Sequence, residues 1–487
     1  MTPHLAPLIF GVPNSKSLGM LASFGSSLLA LFLYLLYYYG IDLKNLSYIY
    51  IIIYLFHMLV SMRVINYNIL IIFRYLLLWF LPFICLITYM VWGGKVYLGP
   101  FGPEYQTEEN LAVIINAGIL GISGNLIGWT MWPHFRRFKN STERKIHITP
   151  SQRSKLLSAG LFLSYTSGLL YLYNSGGIVG LNTEYATNSP ADGIEINALN
   201  IFHYIGISIV LIAAYHKDMA LKKYIIFLCI FSLLLGVLAG SRADYLPQSL
   251  ILLVIAFGDK INSKIISRNI SELSFMAAAS LFVILFYFLA SVIAYNRQGL
   301  PLEFLFSQLF SMDGGLIIEI YGHPVLFFET GNMMIGGFYS AIVNVDLNGY
   351  LLGASYVDYL LKIPPAFFGL DRPAGLDTMT EINGLIMSQG GIFELAEAYW
   401  NFGLFGCFFV PLIISSIQAN LLLKGIKNHS IFFLVCYMVP GFMAFRAIWY
   451  QNFSYFRQAT ILILLFLVLF LFARWVISRS PQQYKFK

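Results

Sequence analysis

Long apolar runs separated by short polar segments recur along almost the whole chain. A helix needs about 20 apolar residues to cross the hydrocarbon core of a bilayer. Inside lipid a segment must satisfy its own backbone hydrogen bonds, so each run is predicted to be an α-helix. The pattern predicts about twelve spans, over residues 20–39, 46–62, 69–91, 110–132, 156–174, 198–215, 224–240, 245–258, 273–294, 398–423, 430–447 and 458–474. The eighth is short, and we expect it to be tilted or to pair with the seventh as a hairpin.

The composition agrees with a lipid environment. Hydrophobic residues make up 58% of the 487 residues, charged residues only 11%, and the mean hydropathy is +0.72. A soluble domain carries roughly 25% charged residues, so this chain could not cover a surface that faces water. The sequence therefore predicts an all-α polytopic integral membrane protein. The cysteines lie inside apolar runs and are predicted to be small buried hydrophobic side chains: Cys85, Cys229, Cys407 and Cys436.

Lysine and arginine are distributed unequally among the loops. Residues 134–155 carry seven basic residues against one acid, Glu143, so the positive-inside rule predicts that this segment is cytoplasmic. Alternation from there places most of the 30 basic residues inside, most of the 23 acids outside, and both termini in the cytoplasm. Loop orientation explains the net charge of +7, and nucleic-acid binding is not expected.

One loop is much longer than the others and divides the chain into three parts. Residues 1–294 form the first nine predicted spans, residues 295–397 a large periplasmic loop with short helices, and residues 398–487 the last three spans and a cytoplasmic tail. A loop this long usually has a function. Within it, residues 313–330 are predicted to be mildly helical. Residues 362–377 are predicted to be irregular because prolines and glycines punctuate them.

The sequence lacks the motifs of the common nucleotide- and metal-dependent enzymes. It contains no P-loop, no GxGxxG after a strand, no HExxH, no GxSxG and no zinc-spaced cluster of histidine and cysteine. No nucleotide-binding loop and no zinc site are therefore expected. Any reaction would use material that is already outside the cytoplasm, without nucleotide hydrolysis.

Three arginines stand on segments that are predicted to face outward. Arg242 occupies the turn between the seventh and eighth spans, Arg297 follows the ninth span, and Arg372 lies in the proline-rich part of the large loop. A guanidinium group can hold a phosphate through two parallel hydrogen bonds. Each arginine is also explained by snorkelling to lipid headgroups or by pairing with a nearby acid, so both interpretations stay open.

Two acids precede the tenth span. Glu394 and Glu397 share a face if the segment is helical, and either could act as a general base. They could equally complement the dipole at a helix N-terminus. His323, in the large loop, is a further candidate base, with a solvated loop histidine as the alternative. Gly124 and Gly128, spaced GxxxG, predict a surface for close helix packing.

Several short motifs follow one another in the last 250 or so residues. They are Gly240-Ser241-Arg242 in an outer turn, Arg297 at the head of the large loop, Gly353-Ala354-Ser355-Tyr356, Pro364-Pro365, Arg372-Pro373, and Gly390-Gly391 followed by Glu397-x-Tyr399-x-Asn401-x-Gly403. In this order, with about twelve spans and one large outer loop, they resemble the bacterial oligosaccharide repeat-unit polymerases, the Wzy-type O-antigen polymerases. The Arg-x10-Gly spacing of some family members is missing here, because Gln308 and Asn383 stand where the glycines would be.

The resemblance implies a GT-C-like fold and a glycosyltransferase of the bacterial inner membrane that uses no metal and no other cofactor. A glycan chain on undecaprenyl pyrophosphate would be transferred to another lipid-linked repeat unit, with a chain-length regulator as a partner. The arginines would clamp the departing pyrophosphate, and a glutamate or the histidine would take the acceptor's proton. The implied residues are Arg242, Arg297 and Arg372 for pyrophosphate, Glu397, Glu394 and His323 for catalysis, and Tyr356, Tyr399 and Trp400 for stacking on sugars.

Two other functions stay open. The related O-antigen ligases carry a loop histidine followed eight residues later by glycine, and His323 with Gly331 matches that spacing. A transporter of lipid-linked glycan is the second alternative. Transporters usually show internal repeats, broken helices and charges near the middle of the membrane. None of these is evident in the sequence. The basic residue Arg74 does lie within a span, but it is predicted to lie near the inner end of that span and to snorkel to the interface.

Overall fold

The computed structural model describes most of the apolar part of the chain. The described residues are 17–65, 68–93, 107–131, 150–174, 194–214, 219–238, 242–257, 317–320, 323–326, 329–367, 392–449 and 453–479, with isolated positions between 280 and 307. Within them, nearly all residues are helical. The helices are α1 Ser17–Tyr38, α2 Leu43–Ile65, α3 Ile69–Trp92, α4 Glu108–Thr130, α5 Pro150–Asn174, α6 Ile194–Ala213, α7 Met219–Leu238, α8 Arg242–Ala256, α9 Glu329–Asn348, α10 Ala354–Phe367, α11 Glu394–Lys427, α12 Ile431–Phe442, α13 Ala444–Trp449 and α14 Phe453–Arg479.

Helices occupy the predicted apolar runs wherever the structure describes them. The first eight runs coincide with α1 to α8, and the last three with α11, with α12 and α13 together, and with α14. The ninth, residues 273–294, lies almost wholly outside the described residues. Among the described residues, six helices are long and apolar enough to cross a membrane, namely α1, α2, α3, α4, α5 and α11. The all-helical membrane class predicted from the pattern is confirmed at this level.

The surface of the bundle is apolar, as a lipid environment requires. On α1, the side chains of Leu21, Phe24, Leu28 and Phe32 are each more than half exposed. In water such a stripe would be costly, whereas against hydrocarbon it is neutral. The core instead holds most of the polar side chains of the spanning helices, which is the distribution expected when the solvent is lipid.

Helix α4 forms the centre of the bundle. Every residue from Leu111 to Thr130 is buried. The backbone carbonyls of Phe408 and Leu412 on α11 lie directly against Gly124 and Gly128, where even a methyl group would collide with them. The predicted packing role of this glycine pair is confirmed. Gly124 meets Phe408, and Gly128, one turn later, meets Leu412, also one turn later. The two helices therefore run in parallel.

The seventh and eighth predicted spans pair as a hairpin, as the short eighth run predicted. Helix α8 packs along α7, and the thiol of Cys229 donates a hydrogen bond to the carbonyl oxygen of Ser249 at 3.1 Å. The other three cysteines are also buried and unbridged, so the prediction that all four serve as small hydrophobic side chains is confirmed. Cysteine of this kind contributes packing rather than reactivity.

Two predictions about the large loop are wrong in part. Residues 317–320 and 323–326 are not helical but form two antiparallel strands, β1 Ile317–Ile320 and β2 His323–Leu326. The isoleucines of β1 favour an extended strand over a helix. Residues 362–367 are not irregular, because α10 continues through Pro364 and Pro365 to Phe367. Proline fixes a φ angle that suits a helix, so two prolines near the helix end remove donors without breaking it.

Helix α11 consists of two arms joined by a sharp break. At Phe402 (φ −142°, ψ 15°) and Gly403 (φ 64°, ψ −154°) the backbone leaves the helical region. The Cys407 thiol reaches the carbonyl oxygen of Leu395 at 3.4 Å, although twelve residues of continuous helix would separate them by about 18 Å. The short arm, residues 394–401, therefore folds back along the long arm, residues 404–427. The predicted tenth span, which started at residue 398, begins instead at the long arm.

Candidate functional site

The structure describes the side chains of only some of the predicted site residues. Arg242 is the first residue of α8, but its side chain lies outside the described residues, as do Arg297 and Arg372 altogether. His323 begins β2, and its side chain is likewise outside the described part. The proposed roles of these four residues stay predictions. The two glutamates and the three aromatic residues are described, and they cluster around the short arm of α11.

Glu394, the first residue of the short arm, forms an ion pair with Arg74 of α3. The two parallel contacts are Nη2 to Oε1 at 2.7 Å and Nη1 to Oε2 at 3.2 Å. The exposed fractions of the two side chains are 1% and 0%. Paired contacts of this fork-to-fork type are the strongest geometry available to an arginine and a carboxylate.

The placement of this pair corrects the expectation for Arg74. Both side chains are buried, and Arg74 pairs with Glu394 instead of snorkelling to the interface. Arg74 is five residues into α3, about 8 Å from its beginning. The short arm folds inward from the break, so it delivers a carboxylate to a depth that a straight tenth helix would not reach. The cation is thereby neutralised inside the bundle.

Further polar groups complete the surroundings of Arg74. Its Nε donates to Oδ1 of Asn125 on α4 at 3.2 Å, and Nη1 donates to the hydroxyl of Tyr455 on α14. The guanidinium carbon also lies 5.5 Å from the centre of the Tyr455 ring. The Ser415 hydroxyl on the long arm donates to the same Asn125 oxygen. One arginine therefore ties together α3, α4, α14 and both arms of α11.

Glu397 lies one turn beyond Glu394 on the short arm and faces α10. The Ser355 hydroxyl donates to its Oε1 at 2.8 Å, and Nδ2 of Asn401 donates to that Ser355 oxygen at 2.8 Å. Glu397 is 1% exposed. The Glu397 carboxylate accepts from a serine hydroxyl, whereas the carboxylate of its neighbour Glu394 is paired with a cation. The two acids of the arm therefore have different environments.

The segment before α10 is fixed to the end of the short arm through the backbone. The amides of Leu351 and Leu352 donate to the carbonyls of Trp400 and Asn401 at 3.0 and 3.1 Å. The Gly353 amide donates to Oδ1 of Asn401 at 2.9 Å. These bonds satisfy carbonyl groups that a helix end leaves without partners. The last carbonyls of the short arm thus define the position of α10.

Tyr359 lies on the buried face of α10, one turn beyond Ser355. Burial and the neighbouring Glu397 carboxylate raise the pKa of Tyr359 well above its ordinary value, so the hydroxyl stays protonated. Asp358, on the same helix, is also buried. The opposite face of α10 exposes Val357, Leu360 and Leu361. This helix therefore turns its polar side toward the carboxylate and its apolar side away from the bundle.

The three predicted sugar-stacking residues all border this cluster. Tyr356 is half-buried, with its ring close to parallel to Phe402 at 6.3 Å and to Phe456 at 6.1 Å. Tyr399 is buried and contacts Phe338 of α9 at 5.8 Å, and Trp400 is buried as well. In this conformation Tyr356 has the most open ring of the three.

Sequence reasoning missed Arg74, Asn125 and Ser355 as parts of the site. The available signal was the rarity of a charged residue inside an otherwise apolar run, which by default marks a functional position. Within the described ranges, no group of three or more histidine, cysteine, aspartate or glutamate side chains is placed to hold a metal ion.

Comparisons with protein-family models, with curated proteins and with solved structures find no match to this chain. The function must therefore follow from the chemistry of the site. That chemistry comprises a buried bidentate ion pair and, one turn away, a carboxylate held by a serine hydroxyl beneath an amphipathic helix.

Proposed function

We propose that this chain is a polymerase of lipid-linked oligosaccharide repeat units, a glycosyltransferase acting at the outer face of the bacterial inner membrane. One observation carries the proposal. Two segments that define the resemblance, residues 353–356 and 397–403, are far apart in the chain but meet through Ser355 and Glu397 and through Gly353 and Asn401. A shared site is a sufficient reason for both motifs to occur together.

In the proposed reaction Glu397 is the general base. It accepts the proton of a hydroxyl group on the acceptor repeat unit, and that oxygen forms a bond to the anomeric carbon of the donor. The bond from this carbon to the pyrophosphate breaks, and undecaprenyl pyrophosphate leaves with the electron pair. Arg242, Arg297 and Arg372 are proposed to stabilise the charge on the leaving group. Glu394 is the weaker candidate base, because its carboxylate already neutralises Arg74.

The proposal includes about twelve spans, a GT-C-like arrangement, and both termini in the cytoplasm. The parallel course of α4 and the long arm of α11 supports the topology, because alternation runs both spans from outside to inside. The large loop, residues 295–397, would then face the periplasm. A chain-length regulator as partner stays a prediction.

The test is Glu397→Gln in the host from which the chain comes, with surface glycans separated by size. Loss of the base should remove the polymer ladder and leave single repeat units, at an unchanged protein level. Glu108→Gln is the matched control, because Glu108 also lies in the first turn of a helix and accepts a hydrogen bond, from Tyr89 at 2.7 Å. A normal ladder with Glu397→Gln would refute Glu397 as the base.

A transporter of lipid-linked glycan is the second candidate, and two specific observations favour it. The ion pair of Arg74 and Glu394 is buried inside the bundle, and α11 is broken at Gly403. Both features are typical of transporters. Deleting the chain distinguishes the functions. Loss of a polymerase leaves single repeat units on lipid A. Loss of a transporter leaves none and traps the repeat unit on the cytoplasmic face. Loss of an O-antigen ligase leaves finished polymer on its lipid carrier.

A further inference from the structure

Three buried N–H donors on α4 and the long arm of α11 have no hydrogen-bond partner among the described residues. They are Nδ2 of Asn125, Nε1 of Trp129 and Nε2 of Gln418. All three side chains are at least nine-tenths buried. Nothing in a hydrocarbon interior can accept their hydrogen bonds, so leaving them unpaired is costly. Since neither the backbone nor the side chains of the described part of the chain supply an acceptor, another acceptor is required.

The helix geometry places these donors along one line. Asn125 and Trp129 are one turn apart on one face of α4, and Ser415 and Gln418 are one turn apart on the long arm of α11. Asn125 touches Ser415, and the two helices are parallel and in backbone contact at Gly128. Trp129 and Gln418 therefore both lie one turn further toward the same end of the bundle. We call Asn125, Trp129, Ser415 and Gln418 the polar seam.

The polar seam begins at the ion pair and leads to a helix end. Asn125 accepts from Arg74, which holds Glu394. At the other end, Thr130 is the last residue of α4, about 8 Å along the axis from Asn125. The sequence that follows α4 is the basic segment 134–155, which the positive-inside rule predicts to be cytoplasmic.

We propose that the polar seam holds internal water and gives the Arg74–Glu394 pair aqueous access from the end of the bundle at which α4 finishes. The oxygen of a water accepts a hydrogen bond from each unpaired N–H group. The same water donates hydrogen bonds to the next oxygen along the seam. A buried water typically makes about three hydrogen bonds, and the unpaired N–H groups of Asn125, Trp129 and Gln418 are donors available to it. Water from that side then reaches the polar groups around the ion pair without crossing hydrocarbon.

The competing interpretation is a dry seam, and thiol accessibility separates the two. A cysteine reacts with a charged methanethiosulfonate reagent only as a thiolate, which requires water. In inside-out vesicles, Gln418→Cys should react at least about tenfold faster than Ile417→Cys with a membrane-impermeant cationic reagent. Ile417 is the matched control, because it is adjacent on the same helix but 55% exposed on the lipid-facing surface. Equal, slow reaction of both variants would overturn the proposal.

A second measurement uses the unmodified protein, so it does not depend on a variant that folds. Hydroxyl radicals generated from water by a short X-ray pulse oxidise side chains that contact water. Trp129 should be oxidised, whereas Trp79 should be protected, although Trp79 is the more exposed of the two at 6% against 1%. The Trp79 indole donates to the carbonyl of Tyr54 at 3.3 Å and has no need of water. Protection of both tryptophans would show that the seam is dry.

Discussion

Removing one charge of the Arg74–Glu394 pair should destabilise the protein severely. Both side chains are buried, and each charge is the counter-ion of the other. Arg74→Met leaves a buried carboxylate, and Glu394→Leu leaves a buried guanidinium whose remaining partners among the described residues are Asn125 and Tyr455. Breaking such a pair from one side typically costs about 3–5 kcal/mol. The double variant removes both charges, so its loss should be smaller than that of either single variant.

The measurement is a double-mutant cycle on purified protein in detergent. Unfolding by added dodecyl sulfate, followed by helical circular dichroism, gives the free energy of unfolding of each variant. The coupling between the two substitutions should exceed about 2 kcal/mol. Glu109→Leu, which removes an exposed carboxylate from the first turn of α4, should change stability by no more than about 0.5 kcal/mol. Additive losses in the double variant would refute the reasoning.

Two glycines test the packing of α11. Gly124→Ala should lower the free energy of unfolding by about 1–3 kcal/mol, because the new methyl group meets the Phe408 carbonyl, whereas Gly25→Ala, with open space, should be neutral or stabilising. Gly403→Ala should lower the free energy of unfolding by about 1–3 kcal/mol through backbone strain at φ 64°. It should also disturb the short arm, because the Tyr350 ring packs against Gly403. Gly40→Ala, at φ 94° without a packed neighbour, measures the backbone strain alone. Thermal unfolding in detergent checks both, and the Gly403 prediction fails if that variant is no less stable than Gly40→Ala.

The helices were predictable because their signal is local. Membrane-length apolar runs fix where a helix forms whatever its neighbours are, since lipid offers the backbone no partner. The pairing of α7 with α8 and the packing at Gly124 followed in the same way, from a short run and from two small residues four positions apart. These features need no knowledge of the fold.

The candidate site was only half predictable, because it depends on contacts between distant segments. Glu397 and Asn401 could be singled out by motif, but nothing local reveals that Ser355 is their partner. Arg74 was misplaced because a helix-by-helix interpretation assigns depth from the nearest span end. A short arm that folds back changes the depth of Glu394 and supplies a counter-ion. That reversal depends on two residues, Phe402 and Gly403, inside a pattern that otherwise predicts continuous helix.

The position of the short arm explains why two acids three residues apart have different partners. Glu394 is held in the core by a cation on α3, and this contact fixes the depth of the arm. Glu397, one turn further, then meets Ser355 on α10 within hydrogen-bonding distance. Since the ends of the arm are held by α3 and by residues 351–353, a shift at either end moves the carboxylate relative to α10. The ion pair is therefore expected to act as a positioning contact for Glu397, the proposed base.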